Sequence, residues 1–124
     1  MMKILFADDS SFIRSIILKT LKANFETAEI ISCINGKEAY EQFVAQKPDI
    51  LITDLLMPEM TGEELLHKLH DNGYHAKAIV VSADIQTKTK EELVALGLLD
   101  FVNKPLTADK LNLIVNLIRG QENA

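Results

Sequence analysis

Asp8, Asp9, Asp54, Ser82 and Lys104 stand at or just past the ends of short apolar runs. Those runs are Ile4-Leu5-Phe6-Ala7, Ile50-Leu51-Ile52-Thr53, Ala78-Ile79-Val80-Val81 and Phe101-Val102. Each residue has an ordinary reading by itself: Asp9 or Ser10 as a helix N-cap, Asp54 as a loop acid, Lys104 as a surface lysine. Brought together, they make three carboxylates, a hydroxyl and an ammonium in one place. Three close carboxylates repel, and holding all of them ionised requires a cation. An all-oxygen acidic set suits Mg2+ (or Mn2+), and Mg2+ binds through few carboxylates and keeps several waters. A divalent cation and a lysine beside a carboxylate suit a phosphoryl group: the positive charges hold its oxygens, and the carboxylate can attack phosphorus. Ser82 can donate a hydrogen bond to a phosphoryl oxygen. Glycine-rich phosphate cradles are absent, so nucleotide binding through a P-loop or dinucleotide fingerprint is unsupported.

The elements that must position these residues are short apolar runs alternating with longer amphipathic ones. Phe12 to Leu21 has apolar residues at helical spacing, and Glu29 to Cys33 reads as a second strand. Gly36 to Gln46 puts Ala39, Tyr40 and Phe43 on one helical face. Thr61-Gly62-Glu63-Glu64 matches a capping box at the start of a helix that runs through Leu65, Leu66 and Leu69 to a stop at Gly73. Thr87 to Leu96 reads as a fourth helix ended by Gly97. Thr107 can cap the last helix, with Leu106 and Leu111 as a hydrophobic staple, a buried stripe of Ile114, Val115 and Ile118, and Gly120 as its end. Strands alternating with helices predict an α/β fold, a single doubly wound parallel sheet of five strands with five helices. Such sheets carry their functional groups beyond the carboxyl ends of the strands, where the five polar residues fall.

Composition bounds the rest. The 124 residues carry 13 Lys+Arg against 18 Asp+Glu, a net charge of −5, and 48% are apolar. One domain over 1–124 is the expectation, with a full core. The acidic balance argues against general nucleic-acid binding, which needs cationic side chains. No apolar run approaches the ~20 residues of a membrane span. The single cysteine, Cys33, excludes an internal disulfide framework and reads as a small buried apolar residue in a reducing, cytoplasmic setting. His67 and His70 lie three apart on one helix with His75 nearby; a solvated helix face is favoured there over metal ligation.

The ordered set Asp8-Asp9, Asp54 with Met57-Pro58-Glu59-Met60-Thr61-Gly62, Ser82-Ala83 and Asp100-Phe101-Val102-Asn103-Lys104-Pro105 resembles the receiver domain of two-component response regulators over about residues 3–118. The stand-alone, CheY-like type is the nearest match, without an output domain. The resemblance implies a flavodoxin-like strand order 2-1-3-4-5. It implies that Asp54 accepts a phosphoryl group from a histidine of a sensor kinase. It implies that Asp9, Asp54 and the main-chain carbonyl of Leu56 ligate Mg2+, with Asp8 acting through a metal-bound water. Lys104 would pair with Asp54 and then with the phosphoryl group. Ser82 would swing toward that group, Phe101 would turn inward behind it, and the peptide before Pro105 would be cis. The surface of the fourth helix, fifth strand and fifth helix would change on phosphorylation and bind a downstream protein, as in chemotaxis, with the chain a monomer or a phosphorylation-dependent homodimer.

Two departures bear on those expectations. Leu56 and Asp84, two residues past Asp54 and Ser82, occupy positions that tune attack of water on the phospho-aspartate in this family. Leu56 offers no polar group to orient water, whereas Asp84 can, which predicts moderately slow self-dephosphorylation and a phosphatase partner, and Ser82 to Gln86 resembles receivers served by CheX- or CheC-type phosphatases. Leu98-Leu99 and Leu113/Leu117 read as core first and as a partner surface second. Competing functions are an aspartyl-nucleophile small-molecule phosphatase, which typically needs a second acid where Leu56 stands, a phosphorelay intermediate without motor output, and a constitutive interaction module, which would have lost one of the retained site residues.

Overall fold

The computed structural model describes residues 2–83 and 87–122. Ten elements alternate along the chain: β1 (Lys3–Ala7), α1 (Ser11–Asn24), β2 (Glu29–Cys33), α2 (Gly36–Gln46), β3 (Ile50–Thr53), α3 (Gly62–Asp71), β4 (Ala78–Ser82), α4 (Thr87–Val94), β5 (Leu98–Asn103) and α5 (Ala108–Glu122). The five strands form one parallel sheet in the order β2-β1-β3-β4-β5, the order implied by the resemblance.

The sheet separates two apolar layers, and strand alternation sorts residues between them. Leu5, Ala7, Leu51, Ala78 and Val80 face α2, α3 and α4, where Ala39, Phe43, Leu65, Leu66, Leu69 and Leu93 meet them. Ile4, Phe6, Ile50, Ile52, Ile79 and Val81 face α1 and α5 and meet Ile17, Leu21, Ile114, Val115 and Ile118. The central strands β1, β3 and β4 are therefore apolar on both sides, as their unbroken runs require.

Caps set where the helices begin. Ser10 Oγ accepts from Ile13 N at 3.3 Å and starts α1 one residue earlier than periodicity predicts. The capping box of α3 is complete: Thr61 Oγ1 accepts from Glu64 N, and Thr61 N donates to Glu64 Oε1, both at 3.2 Å. Gly73 (φ 83°) and Gly97 (φ 102°) take the left-handed conformation that follows a helix end. Gly120 does not end α5, which continues to Glu122; an interior glycine costs only about 1 kcal/mol against alanine, and the buried stripe of α5 outweighs it.

The fourth helix is shorter than its periodicity predicts, and the fifth strand is longer. Leu96 N donates to Leu93 O and Gly97 N to Val94 O, three-residue bonds that tighten the end of α4 into a turn. Leu98 and Leu99 then open β5 across a register shift, since Ala78 pairs with Leu98 and Ile79 with Asp100. One extra residue switches the parity of the strand. Leu98 and Phe101, three apart, both pack on the α2/α3/α4 layer, and Leu99 and Val102 both pack on the other. The Leu98-Leu99 pair is thus core, as is Leu117 in part, while Leu113 is 38% exposed. No helix among the described residues is long and apolar enough to cross a membrane.

Candidate functional site

The β1–α1 turn presents Asp8 and Asp9. Asp8 is buried and every one of its polar atoms is engaged. Its N–H donates to Cys33 O at 3.2 Å, and its carbonyl accepts from Arg14 Nη1 at 2.8 Å. Its Oδ1 accepts from Ser10 N at 2.9 Å, and its Oδ2 accepts from Lys104 Nζ at 2.9 Å. Asp9 is exposed beside it.

Asp54 follows β3, and its N–H bonds back to Ala7 O, which ties the ends of β1 and β3 together. One carboxylate oxygen, Oδ1, accepts from Leu55 N at 2.7 Å and Leu56 N at 3.3 Å. The other, Oδ2, accepts from Lys104 Nζ at 2.7 Å. The chain between β3 and α3 is held from inside: Thr53 Oγ1 donates to Asp54 O at 2.9 Å, and Gly62 N donates to Leu55 O. Glu59 sits at φ 69°, with Met60 N donating to Pro58 O, a tight three-residue turn in that loop.

Lys104 arrives from β5 and bridges both buried acids, so it pairs with Asp8 as well as with the Asp54 partner expected from sequence. Burial pulls its ammonium down. The hydrogen bonds and charges of Asp54 and Asp8 outweigh that and hold it above the ordinary lysine value. The Lys104–Pro105 peptide is cis. Ser82 ends β4 and pairs with Asn103, and its carbonyl accepts from Lys104 N. Its hydroxyl is buried and has no hydrogen-bond partner; a buried polar atom left so is costly unless a ligand or a change of state satisfies it. Phe101 is half-buried on the α4 side, with Lys90 Nζ 5.4 Å from its ring centroid. Leu56 is 71% exposed. Asp84 lies outside the described residues.

Asp8, Asp9 and Asp54 each offer an oxygen within 4.8 Å of the others. The three carboxylates and the one ammonium leave two negative charges in the pocket. Hard oxygen donors with that residual charge fit a divalent cation of the Mg2+ class. His67, His70 and His75 are exposed and form no such cluster among the described residues. Cys33 is buried in the core, and desolvation, with Glu38 beside it, pushes its thiol up to about 12, so it stays a neutral packing group.

The chain matches the response regulator receiver domain family over residues 4–116. It belongs to that family. The receiver is 36% identical over 112 residues to the chemotaxis protein CheY of Listeria monocytogenes, covering 90% of this chain and 92% of that one. It is 34% identical to the CheY of Thermotoga maritima, covering 88% and 90%. Among solved structures it resembles a Francisella response regulator receiver domain, with a TM-score of 0.83, 28% identity, and 98% and 99% of the two chains covered. Receivers are signalling proteins of two-component systems rather than turnover enzymes, and they bind Mg2+ at an acidic pocket.

Asp8, Asp9, Asp54 and Lys104 meet at one sheet edge, with Ser82 joined to Lys104 through the main chain, while Phe101 packs on the α4 side and Leu56 is exposed. Three further residues take roles that their sequence positions did not indicate. Thr53 and Gly62 hold the loop after Asp54, and Arg14 holds the carbonyl of Asp8. Nothing in the sequence set Arg14 apart from Lys19 and Lys22, the other cations of α1. The raised Lys104 value makes a pH prediction. A group raised in the folded state adds stability that is complete below its unfolded value, near ~10.4 for lysine, and lost as pH rises through its folded value. The difference in urea midpoint between the receiver and its Lys104→Met variant should hold steady from neutral pH to about 10 and shrink above it. A difference that grew on the alkaline side would contradict the assigned pairing.

Proposed function

We propose that Asp54 is the phosphoacceptor of this receiver and takes its phosphoryl group from a histidine of a sensor kinase. The observation that carries the reading is Asp54 itself: a buried carboxylate with one oxygen on the Lys104 ammonium, at the sheet edge where the Ser82 hydroxyl is buried without a partner. The Asp54 carboxylate attacks phosphorus, a new P–O bond forms as the P–N bond to the donor breaks, and the imidazole leaves with the bonding pair. Asp9, Asp54 and the Leu56 carbonyl would hold Mg2+, with Asp8 in reach through water. When bound, Mg2+ neutralises charge on the transferred group and its oxygens. Lys104 exchanges a carboxylate oxygen for a phosphoryl oxygen. Ser82 donates its orphan hydroxyl to another, and Phe101 follows Ser82 inward.

Contacts that exist only in the phosphorylated state bias a two-state equilibrium. The α4-β5-α5 face is the element so biased, and a downstream protein reads it, in a chemotaxis-type pathway as the CheY relatives suggest. Exposed Leu56 offers water no general base, which supports a long-lived phospho-aspartate and a CheX/CheC-type phosphatase. The same residue removes the general acid that a small-molecule phosphatase would need. Incubation with acetyl phosphate and Mg2+ followed by intact-mass measurement should give one phosphoryl mass gain. That gain should vanish in Asp54→Asn and in excess chelator; its persistence in Asp54→Asn would place the modification elsewhere.

A further inference from the structure

We infer that Arg14 is a positioning residue for the cation site: by holding the main-chain carbonyl of Asp8, it fixes the peptide that joins Asp8 to Asp9 and so aims the Asp9 carboxylate. The inference rests on the reading of Asp9 as a Mg2+ ligand. Asp8 is held at its N–H by Cys33, at Oδ1 by Ser10 and at Oδ2 by Lys104. Its carbonyl is the fourth polar atom, and Arg14 Nη1 reaches it at 2.8 Å from six residues along the chain. That carbonyl belongs to the same rigid amide plane as the Asp9 N–H. Asp9, unlike Asp8, is exposed, so its direction depends on the plane that carries it. A half-buried Arg on the first turns of α1 thereby ties the helix to the acidic turn, in the way that outer partners orient metal ligands.

Charge and positioning predict opposite signs here, which makes the role separable. A guanidinium beside an acidic cation site repels the incoming cation, so deleting it for its charge alone would tighten Mg2+ binding. Deleting it as a positioner frees the Asp8–Asp9 peptide and weakens binding. Mg2+ titration of the full chain by calorimetry, with no phosphodonor present, reads the difference. Arg14→Met should bind Mg2+ about 10-fold more weakly, the lower end of the effect of losing such an outer partner. Its melting midpoint in chelator should fall as the buried Asp8 carbonyl loses its donor, so Mg2+ affinity is read well below that midpoint, where a merely structural arginine would leave the affinity unchanged. Binding by Arg14→Met equal to or tighter than that of the unsubstituted chain would overturn the inference. If Arg14→Met does not fold, Arg14→Gln, neutral and too short to reach the carbonyl, is read by the same rule. Asp9→Asn serves as the control for the site. Should the unsubstituted chain fail to bind Mg2+, or Asp9→Asn bind it undiminished, the Asp9 reading falls and the inference with it. Loss in Asp9→Asn with no weakening in the Arg14 variants overturns the inference alone.

Discussion

Lys104→Met is expected to lose about 3 kcal/mol of stability at neutral pH in chelator, the lower end of the penalty for breaking a buried ion pair. Asp8 and Asp54 have side chains only 2% and 8% exposed, and they share one ammonium at 2.9 and 2.7 Å. Methionine fills the lysine's volume but leaves two buried carboxylates facing each other. The lower end applies because the lysine side chain keeps 18% of its surface in water, which already screens the pair. Added Mg2+ should return part of the loss, since a divalent cation can replace the missing charge. Urea unfolding with and without Mg2+ measures both. The same variant should take up phosphoryl from acetyl phosphate about 10²–10³-fold more slowly, the usual cost of one lost electrostatic contact to developing charge. A variant as stable as the unsubstituted chain in chelator would mean that the pocket carries less charge than its geometry implies.

Gly62→Ala is expected to damage the site through the backbone. A Cβ at Gly62 would lie 2.1 Å from the Asp54 carbonyl oxygen and 3.0 Å from both Asp54 C and Leu55 Cα. These are main-chain atoms, so no side chain can swing aside. Either α3 shifts away from the sheet or the peptide after Asp54 tilts, and Gly62 N loses its 2.9 Å bond to Leu55 O. The upper part of the about 1–3 kcal/mol range for overpacking is expected. The tilt also moves Leu55 N, which donates to Asp54 Oδ1. Thermal unfolding should therefore shift downward, and phosphoryl uptake at a temperature where the variant is folded should fall as well. Gly120→Ala is the contrasting case: a Cβ there meets nothing within 4 Å, and replacing a helix-interior glycine should leave the midpoint unchanged or raised. Equal midpoints for Gly62→Ala and the unsubstituted chain would show that the loop accommodates the methyl group without strain.

The sequence by itself determined the order of elements, the double burial of β1, β3 and β4, the N-caps of α1, α3 and α5, and the sheet edge on which the acids gather. These are local or periodic properties: apolar runs mark strands buried on both faces, and Thr61 with Glu64 closes a capping box within one turn. The family motif named the chemistry for the same reason, since its residues keep their place at strand ends. Tertiary structure alone decided what depends on residues meeting from distant positions. Lys104 lies 96 residues from Asp8 and 50 from Asp54, and only the packing of β5 beside β4 made it bridge both acids rather than one. The length of β5 was equally hidden. Leu98 and Leu99 carry no strand alternation, because a bulge against Ala78 and Ile79 switches the parity there and sends Phe101 to the α4 side. Arg14 is one of three cations on α1, and only the fold closes it onto the Asp8 carbonyl. Periodicity records which face a residue takes within its own element; which partner waits on that face is set by how the elements pack.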